Sequence, residues 1–204
     1  MLKAPKFWYQ SNFSILAILL IPVSLIWITG TYLKKKFAKP IRSKIPVIAI
    51  GSAIIGGSGK TPSVIYVCEI LEKIGYKPHV ISRGYGGSAN EVIKVSPEMS
   101  YSVVGDEAIM MSKYYPTWVS KNKYNAFAMA EKDGANILVL DDALQSYNIF
   151  KNLNIYVYDS IQSFGNKLIV PSGPLRESIS SVLNRSQIVF LVNTDICPEI
   201  SKNK

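Results

Sequence analysis

The sequence has few of the residues from which zinc and redox sites are usually built. Its 204 residues include two cysteines and one histidine. Cys68 and Cys197 lack the C-x-x-C spacing and neighbouring histidines of such sites. We therefore expect reduced thiols, as in a cytosolic compartment. We interpret His79, at the start of a predicted strand, as a structural residue.

Acidic residues are missing from the first third of the chain. Positions 1–68 contain nine lysines or arginines and no aspartate or glutamate, whereas the remainder holds 14 residues of each sign. A globular nucleic-acid-binding domain more often spreads its basic residues over a folded face, with aromatic residues among them. Here the basic excess flanks an apolar segment. We therefore expect an anionic membrane surface as the partner, and no nucleic acid.

The apolar segment covers residues 13–30 and carries no charge. As one helix it would rise about 27 Å, just short of the ~30 Å hydrocarbon core of a bilayer. Aromatic residues typical of membrane interfaces flank it at Trp8, Tyr9, Trp27 and Tyr32. Whether such a helix spans the membrane or lies in one leaflet stays open, because Pro22 can bend it.

Charge on either side of this segment predicts its orientation. Six basic residues follow it and two precede it, which places the rest of the chain on the cytoplasmic side. A secretory signal peptide is the main alternative, but no A-x-A-like cleavage site follows the segment. We expect residues 1–44 to form a membrane-associated helix with its basic flank.

From residue 45 onward, strand patterns alternate with helix patterns. The predicted strands are 45–52, 77–84, 136–142, 154–159 and 187–193, and the predicted helices are 61–76, 105–115 and 125–134. This alternation predicts an α/β fold with a mostly parallel sheet flanked by helices, and ligands at the carboxyl ends of its strands. We expect one P-loop NTPase-like domain over residues 45–204.

A glycine-rich loop lies between the first strand and the first helix. It reads GGSGKT and comprises Gly56, Gly57, Ser58, Gly59, Lys60 and Thr61. Glycines let the backbone turn its N–H groups toward phosphate, while the lysine reaches the β- and γ-phosphates and the threonine hydroxyl binds Mg²⁺. The loop departs from the usual motif because Ile54 occupies the first glycine position.

Two acidic pairs are candidates for the chemistry. Asp141 follows a buried strand, where a carboxylate can hold Mg²⁺ directly or through water, and Asp142 can share the metal or position a loop. Asp106 and Glu107 begin a predicted helix. They are either the acidic residues favoured in a first helical turn, or a general base and a second metal ligand.

Two further glycine-bearing loops each carry one arginine. They read SRGYGG, with Arg83, and PSGPLRE, with Arg176. Either arginine can neutralise charge on a transferring phosphate, and both loops can equally be turns with solvated arginines.

Taken in order, the motifs GGSGKTP, SRGYGG, VGDEA, DDALQ, FGN and PSGPLRE resemble the lipid A 4'-kinase (tetraacyldisaccharide 4'-kinase) family. The resemblance runs from about residue 6 to residue 193. It implies a P-loop kinase on the cytoplasmic side of the bacterial inner membrane. That kinase transfers the γ-phosphate of ATP, with Mg²⁺, to the 4'-hydroxyl of tetraacyldisaccharide 1-phosphate, a lipid acceptor, forming lipid IVA.

The resemblance also implies roles for individual residues. Asp106 would be the base at the acceptor hydroxyl, and Lys60 and Arg176 would face the transferring phosphate. The residues implied at the metal are Thr61, Glu107, Asp141 and Asp142, and those implied at the substrate are Arg83, Tyr85 and Gln145.

The chain departs from the family in three places. Ala143 and Ser146 replace the glycine and histidine of D-D-G-L-Q-H. The family's chains are also longer, and their C-terminal part supplies a second lobe with a histidine that partners the catalytic aspartate. Two alternatives therefore stay open: a membrane-anchored nucleotide-binding module or truncated pseudo-kinase without transfer, and an ATPase that positions proteins at membranes. ATPases of that class usually have a lysine before the Gly-Gly pair, where this chain has Ile55.

Overall fold

The structure is a computed structural model that describes residues 4–10, 14–56 and 59–197. Its helices are α1 Ile15–Leu19, α2 Ile21–Lys36, α3 Lys60–Lys73, α4 Tyr101–Val104, α5 Asp106–Ser112, α6 Phe127–Lys132 and α7 Ile179–Leu183. Its strands are β1 Val47–Gly51, β2 Pro78–Ser82, β3 Ile93–Lys94, β4 Thr117–Val119, β5 Ile137–Leu140, β6 Leu153–Asp159 and β7 Ile188–Val192. Short 3-10 helices cover Lys6–Trp8 and Lys123–Ala126.

The chain divides into two compact units. The first comprises Met1–Lys39, Ser52–Gly59 and Tyr156–Lys204, and the second comprises Pro40–Gly51 and Lys60–Ile155.

The second unit is built on a mostly parallel sheet. Its strands lie in the order β3-β4-β2-β5-β1, and the beginning of β6 lies beside β1. The pairs β1–β5, β2–β5 and β2–β4 are parallel, whereas β3 runs antiparallel to β4 at the edge. Every residue of β1, β2, β4 and β5 is buried. Strands buried on both faces are continuous apolar runs rather than alternating ones, which explains their pattern in the sequence.

Helix α3 covers this sheet with one apolar face. Its contacts with β1, β2 and β5 bury Val64, Val67, Cys68 and Leu71. Burial raises the pKa of the Cys68 thiol to about 12, with Glu72 adding to the effect. Cys197 is also buried, and neither cysteine forms a disulfide.

The first unit contains the N-terminal helices, the end of β6, and β7 and α7. Ser24 of α2 is buried, and its Oγ donates to the carbonyl oxygen of Ile169 at 2.8 Å and accepts the N–H of Ser172 at 3.2 Å. Trp8 Nε1 donates to the carbonyl oxygen of Pro171 at 3.0 Å. These bonds fix the N-terminal segment to residues 169–172 of the same unit.

The apolar segment does not form one continuous helix. It divides at Leu20 into α1 and α2, and α2 continues to Lys36; Phe13 lies outside the described residues. Pro22 sits in the first turn of α2. It has no N–H to donate to the carbonyl of Ile18 four residues earlier, which explains the break. Among the residues with described positions, no helix is both long and apolar enough to cross a membrane.

The predicted fold class is confirmed for the sheet. The predicted strands correspond to β1, β2, β5, β6 and β7, and the predicted helices to α3, α5 and α6. The sequence analysis did not predict four short elements, namely β3, β4, α4 and α7.

Candidate functional site

The glycine-rich loop leads from β1 into α3. In the first unit Gly56 and Gly59 have φ angles of +122° and +68°, which favour glycine. A Cβ on Gly59 would lie 3.1 Å from Cγ1 of Val192, so a side chain would also crowd β7. Gly57 and Ser58 lie outside the described residues.

The second unit begins this helix with the lysine and threonine of the motif. Lys60 is the first residue of α3 and is buried, whereas Thr61 is half-buried in the first turn. Backbone N–H groups at the start of a helix have no partners within it and favour anions. This part of the chain therefore provides a lysine and a helix N-terminus for phosphate.

Asp141 directly follows β5 and is 2% exposed. Its Oδ2 accepts the hydroxyl of Ser82 at 3.0 Å. Its Oδ1 is buried and has no hydrogen-bond partner among the described residues. A buried carboxylate oxygen without a partner is costly unless a ligand satisfies it, so this oxygen fits a cation.

The charges around Asp141 act on one another. Burial raises the pKa of Asp141 and the neighbouring Asp142 adds to this, while Lys123, the Ser82 bond and Lys60 oppose it. Burial also raises the pKa of the half-buried Glu107; Asp141, Asp142 and Asp106 add to it, and Lys60 opposes it. The charge of Lys60 therefore acts on one carboxylate of each predicted acidic pair, Asp141 and Glu107.

A resident metal ion would have to be held by these carboxylates. Over the described ranges, no three His, Cys, Asp or Glu side chains lie together closely enough to hold an ion by themselves. Mg²⁺ does not need such a cage, because it commonly takes one or two carboxylates together with waters and substrate phosphates. The open Oδ1 of Asp141 fits that mode of binding.

Asp106 is the first residue of α5 and is exposed. Its Oδ1 accepts the N–H of Glu107 at 3.0 Å, as an acidic residue in a first helical turn does. Exposure leaves the carboxylate accessible to an acceptor hydroxyl. The arrangement is compatible with both readings of this residue.

The remaining candidates lie on loops. Arg83 and Tyr85 follow β2 and are exposed, Tyr85 by 73%, and Gln145 is half-buried after β5. Arg176 belongs to the first unit and is half-buried there. Its N–H donates to the carbonyl of Ala53 at 2.8 Å, and its carbonyl accepts Trp27 Nε1 at 3.1 Å.

Sequence reasoning missed two residues next to Asp141. Ser82 lies directly before Arg83 and ends β2, whereas Asp141 directly follows β5. The register of β2 and β5 pairs Ile81 with Leu140, so Ser82 and Asp141 come next to each other in adjacent strands. That neighbourhood could have been found from the two predicted strands. Lys123 is also buried, but its surrounding sequence, KNKYN, resembles an ordinary polar surface segment.

A sequence model of the family described as tetraacyldisaccharide-1-P 4'-kinase matches residues 16–203. The chain is 38% identical to the tetraacyldisaccharide 4'-kinase of Rhodospirillum rubrum over 197 residues, which cover 95% of this chain and 58% of that protein. It is 35% identical to that of Rhodospirillum centenum, covering 95% and 59% of the two chains.

The fold is similar to a crystal structure of LpxK from Aquifex aeolicus in complex with ATP. The TM-score is 0.78 at 26% identity, over 90% of this chain and 61% of that one. The chain thus spans about three fifths of the length of the relatives it matches. With the family model matching nearly its whole length, the chain belongs to the tetraacyldisaccharide-1-P 4'-kinase family.

Proposed function

We propose that this protein is a kinase that transfers the γ-phosphate of ATP to the 4'-hydroxyl of tetraacyldisaccharide 1-phosphate in lipid A biosynthesis. The observation that carries the proposal is the buried Lys60 at the start of α3, directly after the glycine-rich loop, together with the buried Oδ1 of Asp141 that has no hydrogen-bond partner among the described residues. The names of the relatives supply the acceptor, and the ATP in the Aquifex aeolicus complex supplies the donor.

Nucleotide binding is assigned to the glycine-rich loop and the start of α3. The loop glycines, Ser58 and the first N–H groups of α3 receive the phosphates, and Lys60 offsets their charge. Thr61, Glu107, Asp141 and Asp142 would hold Mg²⁺, which would supply positive charge to offset the negative charge that develops on the phosphate during transfer. The open Oδ1 of Asp141 supports this assignment.

Acceptor chemistry is assigned to Asp106. Its exposed carboxylate at the start of α5 takes the proton of the 4'-hydroxyl as that oxygen attacks the γ-phosphorus. The bond from the γ-phosphorus to the β,γ-bridging oxygen breaks, and ADP leaves. Arg176 offsets charge on the transferring group, and Arg83, Tyr85 and Gln145 orient the acceptor.

We also propose that α1 and α2 rest on the cytoplasmic face of the inner membrane. Their outer side is exposed and apolar, including Ile15 at 77%, Leu19 at 69% and Ile26 at 73%. Basic residues end α2 at Lys34, Lys35 and Lys36. An apolar surface beside lysines fits an anionic lipid surface, and it keeps the kinase beside an acceptor whose acyl chains lie in the bilayer.

Asp106→Asn tests the assigned chemistry. The amide cannot accept the proton, so we expect phosphate transfer to be lost while the affinity for Mg·ATP changes little. Lys60→Ala is the contrasting variant, because it should weaken nucleotide binding itself. Unchanged turnover in Asp106→Asn would remove Asp106 from the base role. Nucleotide binding without transfer in the parent chain would instead favour the nucleotide-binding module.

A further inference from the structure

Lys123 is a lysine buried in the second unit outside the predicted motifs. It begins the 3-10 helix Lys123–Ala126, and the residue is 5% exposed. Lysine is almost never fully buried unless its charge is paired, because removing an ammonium group from water is costly. The groups that the Lys123 amine contacts must therefore offset the cost of removing it from water.

The Lys123 amine binds the turn that follows β5. Its Nζ donates to the carbonyl oxygen of Asp141, and it lies 3.2 Å from the carbonyl oxygen of Asp142. Both acceptors are main-chain oxygens of the two predicted metal-site residues. One side chain thus holds two successive carbonyl groups at the end of a central strand.

This turn needs such support. Asp142 has a φ angle of +45°, a conformation that costs free energy for a residue with a side chain. The backbone on either side is fixed to neighbouring strands, since Asp141 N–H donates to Ile81 and Ala143 N–H donates to Ile50, each at 3.0 Å. The two carbonyls at the bend are the groups that Lys123 holds.

The two carboxylate oxygens of Asp141 differ in their contacts, and Lys123 binds the main chain that carries them. Ser82 holds Oδ2, and Oδ1 has no hydrogen-bond partner among the described residues. The two Lys123 contacts above fix the main chain from which this carboxylate projects. The positive charge of Lys123 also opposes the rise in the Asp141 pKa that burial causes.

We propose that Lys123 is a positioning residue: its ammonium group holds the Asp141–Asp142 turn so that Oδ1 of Asp141 stays oriented for the Mg²⁺ that accompanies the nucleotide. The inference rests on the proposed nucleotide-binding function. It assigns Lys123 a role through Asp141, with no contact to substrate.

The test is the effect of Mg²⁺ on ATP affinity in the 204-residue chain, measured by calorimetry with Mg²⁺ and with EDTA. In Lys123→Met we expect the factor by which Mg²⁺ tightens ATP binding to fall by about 10–100-fold, as for other residues that orient metal ligands. The affinity in EDTA should change little. Lys151→Met is the matched control, because Lys151 Nζ also donates to a nearby carbonyl, that of Leu144 at 3.2 Å.

The outcomes separate the inference from the proposed function. A parental Mg²⁺ effect in Lys123→Met, or equal losses of affinity with and without Mg²⁺, would overturn the positioning role alone. A parent chain that binds no ATP would overturn the proposed function and this inference with it.

If Lys123→Met does not fold, Lys123→Arg decides. A guanidinium keeps the charge, but its planar fork does not reproduce the contacts of an ammonium group. We then expect a weaker Mg²⁺ effect in a folded protein. A parental Mg²⁺ effect in that variant would overturn the inference.

Discussion

Gly105 is the residue that most directly sets the position of Asp106. Its φ and ψ angles are +85° and 150°, a region that is essentially restricted to glycine. A Cβ at this position would lie 2.5 Å from the carbonyl oxygen of Tyr85. The loop that carries Arg83 and Tyr85 therefore packs against the backbone immediately before the proposed base.

Replacing Gly105 with alanine should destabilise the protein more than the same change at Gly86. Gly86 has a similar φ of +81°, but a Cβ there would meet nothing within 4 Å. We expect Gly86→Ala to cost about 1–2 kcal/mol for its positive φ alone. Gly105→Ala should cost more, because it adds the clash with Tyr85. Urea denaturation of both variants measures the difference, and equal losses would contradict the close packing of the two loops.

His79 is a structural residue, as the sequence predicted. It is buried on β2, and its Nδ1 accepts the Trp118 Nε1–H at 3.2 Å. Burial lowers the pKa of His79. The negative charge of Asp133, whose Oδ2 lies 3.9 Å from His79 Nδ1, opposes this effect. The positive charge of Lys94, whose Nζ lies 2.6 Å from the same Oδ2, lowers the pKa further. The folded protein therefore favours the neutral ring.

The lowered pKa of His79 contributes to the pH dependence of the free energy of unfolding. Because the folded pKa is below the unfolded one, the contribution of His79 is complete above about pH 6.5 and is lost as the pH falls through the folded pKa. His79→Gln keeps an acceptor for Trp118 but does not titrate. We expect the melting temperature of the parent to drop more between pH 7.5 and pH 5.5 than that of the variant. Parallel curves would contradict a titrating His79.

The neighbours of Asp141 illustrate how far residues can be predicted one by one. A carboxylate after a buried strand follows from local pattern, so Asp141 could be selected from sequence. The burial of Lys123 could not, because it results from the packing of a 3-10 helix against a strand end 18 residues later. A polar side chain carries no local signal of which distant carbonyl it will meet.

Among the elements, the strength of the local sequence pattern decided what could be predicted. β1 and β5 are apolar runs, α3 has apolar residues at helical spacing, and the structure contains all three elements. β4 has only three residues, Thr117–Val119, and it exists as a strand because β2 pairs with it. Three residues provide too little pattern to distinguish a strand from a loop.

The N-terminal helices present another limit of sequence reasoning. Hydropathy identified the apolar segment. Which side of it packs against the protein depends on hydrogen bonds from Ser24, Trp8 and Trp27 to residues 169–176. Those bonds join positions about 145 or more residues apart, which periodicity does not reveal. The exposed side is the part proposed to meet lipid.

A charge on that exposed side should weaken membrane binding. Ile26 lies on α2 and is 73% exposed. In Ile26→Asp a charged carboxylate would replace an apolar side chain at the acyl chains, which is unfavourable. We expect less co-flotation with vesicles that contain anionic phospholipid. Ile161→Asp is the matched control, since Ile161 is 77% exposed but lies outside α1 and α2. Equal losses in both variants, or none in Ile26→Asp, would contradict a lipid-facing α2.

For the whole molecule, the distribution of charge along the sequence supports the proposed attachment to a membrane. The first 68 residues carry all of the basic excess, and the rest is balanced. We propose that the basic N-terminal segment contacts lipid and that the glycine-rich loop binds the nucleotide. The division at residues 44 and 45 into a membrane segment and a kinase domain stays a prediction.

The most direct test is transfer of labelled phosphate from ATP to tetraacyldisaccharide 1-phosphate in detergent micelles, using this 204-residue chain with Mg²⁺. We expect labelled lipid from the parent chain and none from Lys60→Ala, because the lysine is assigned to the phosphates. Absence of labelled lipid while Mg·ATP still binds to the parent would contradict the kinase account.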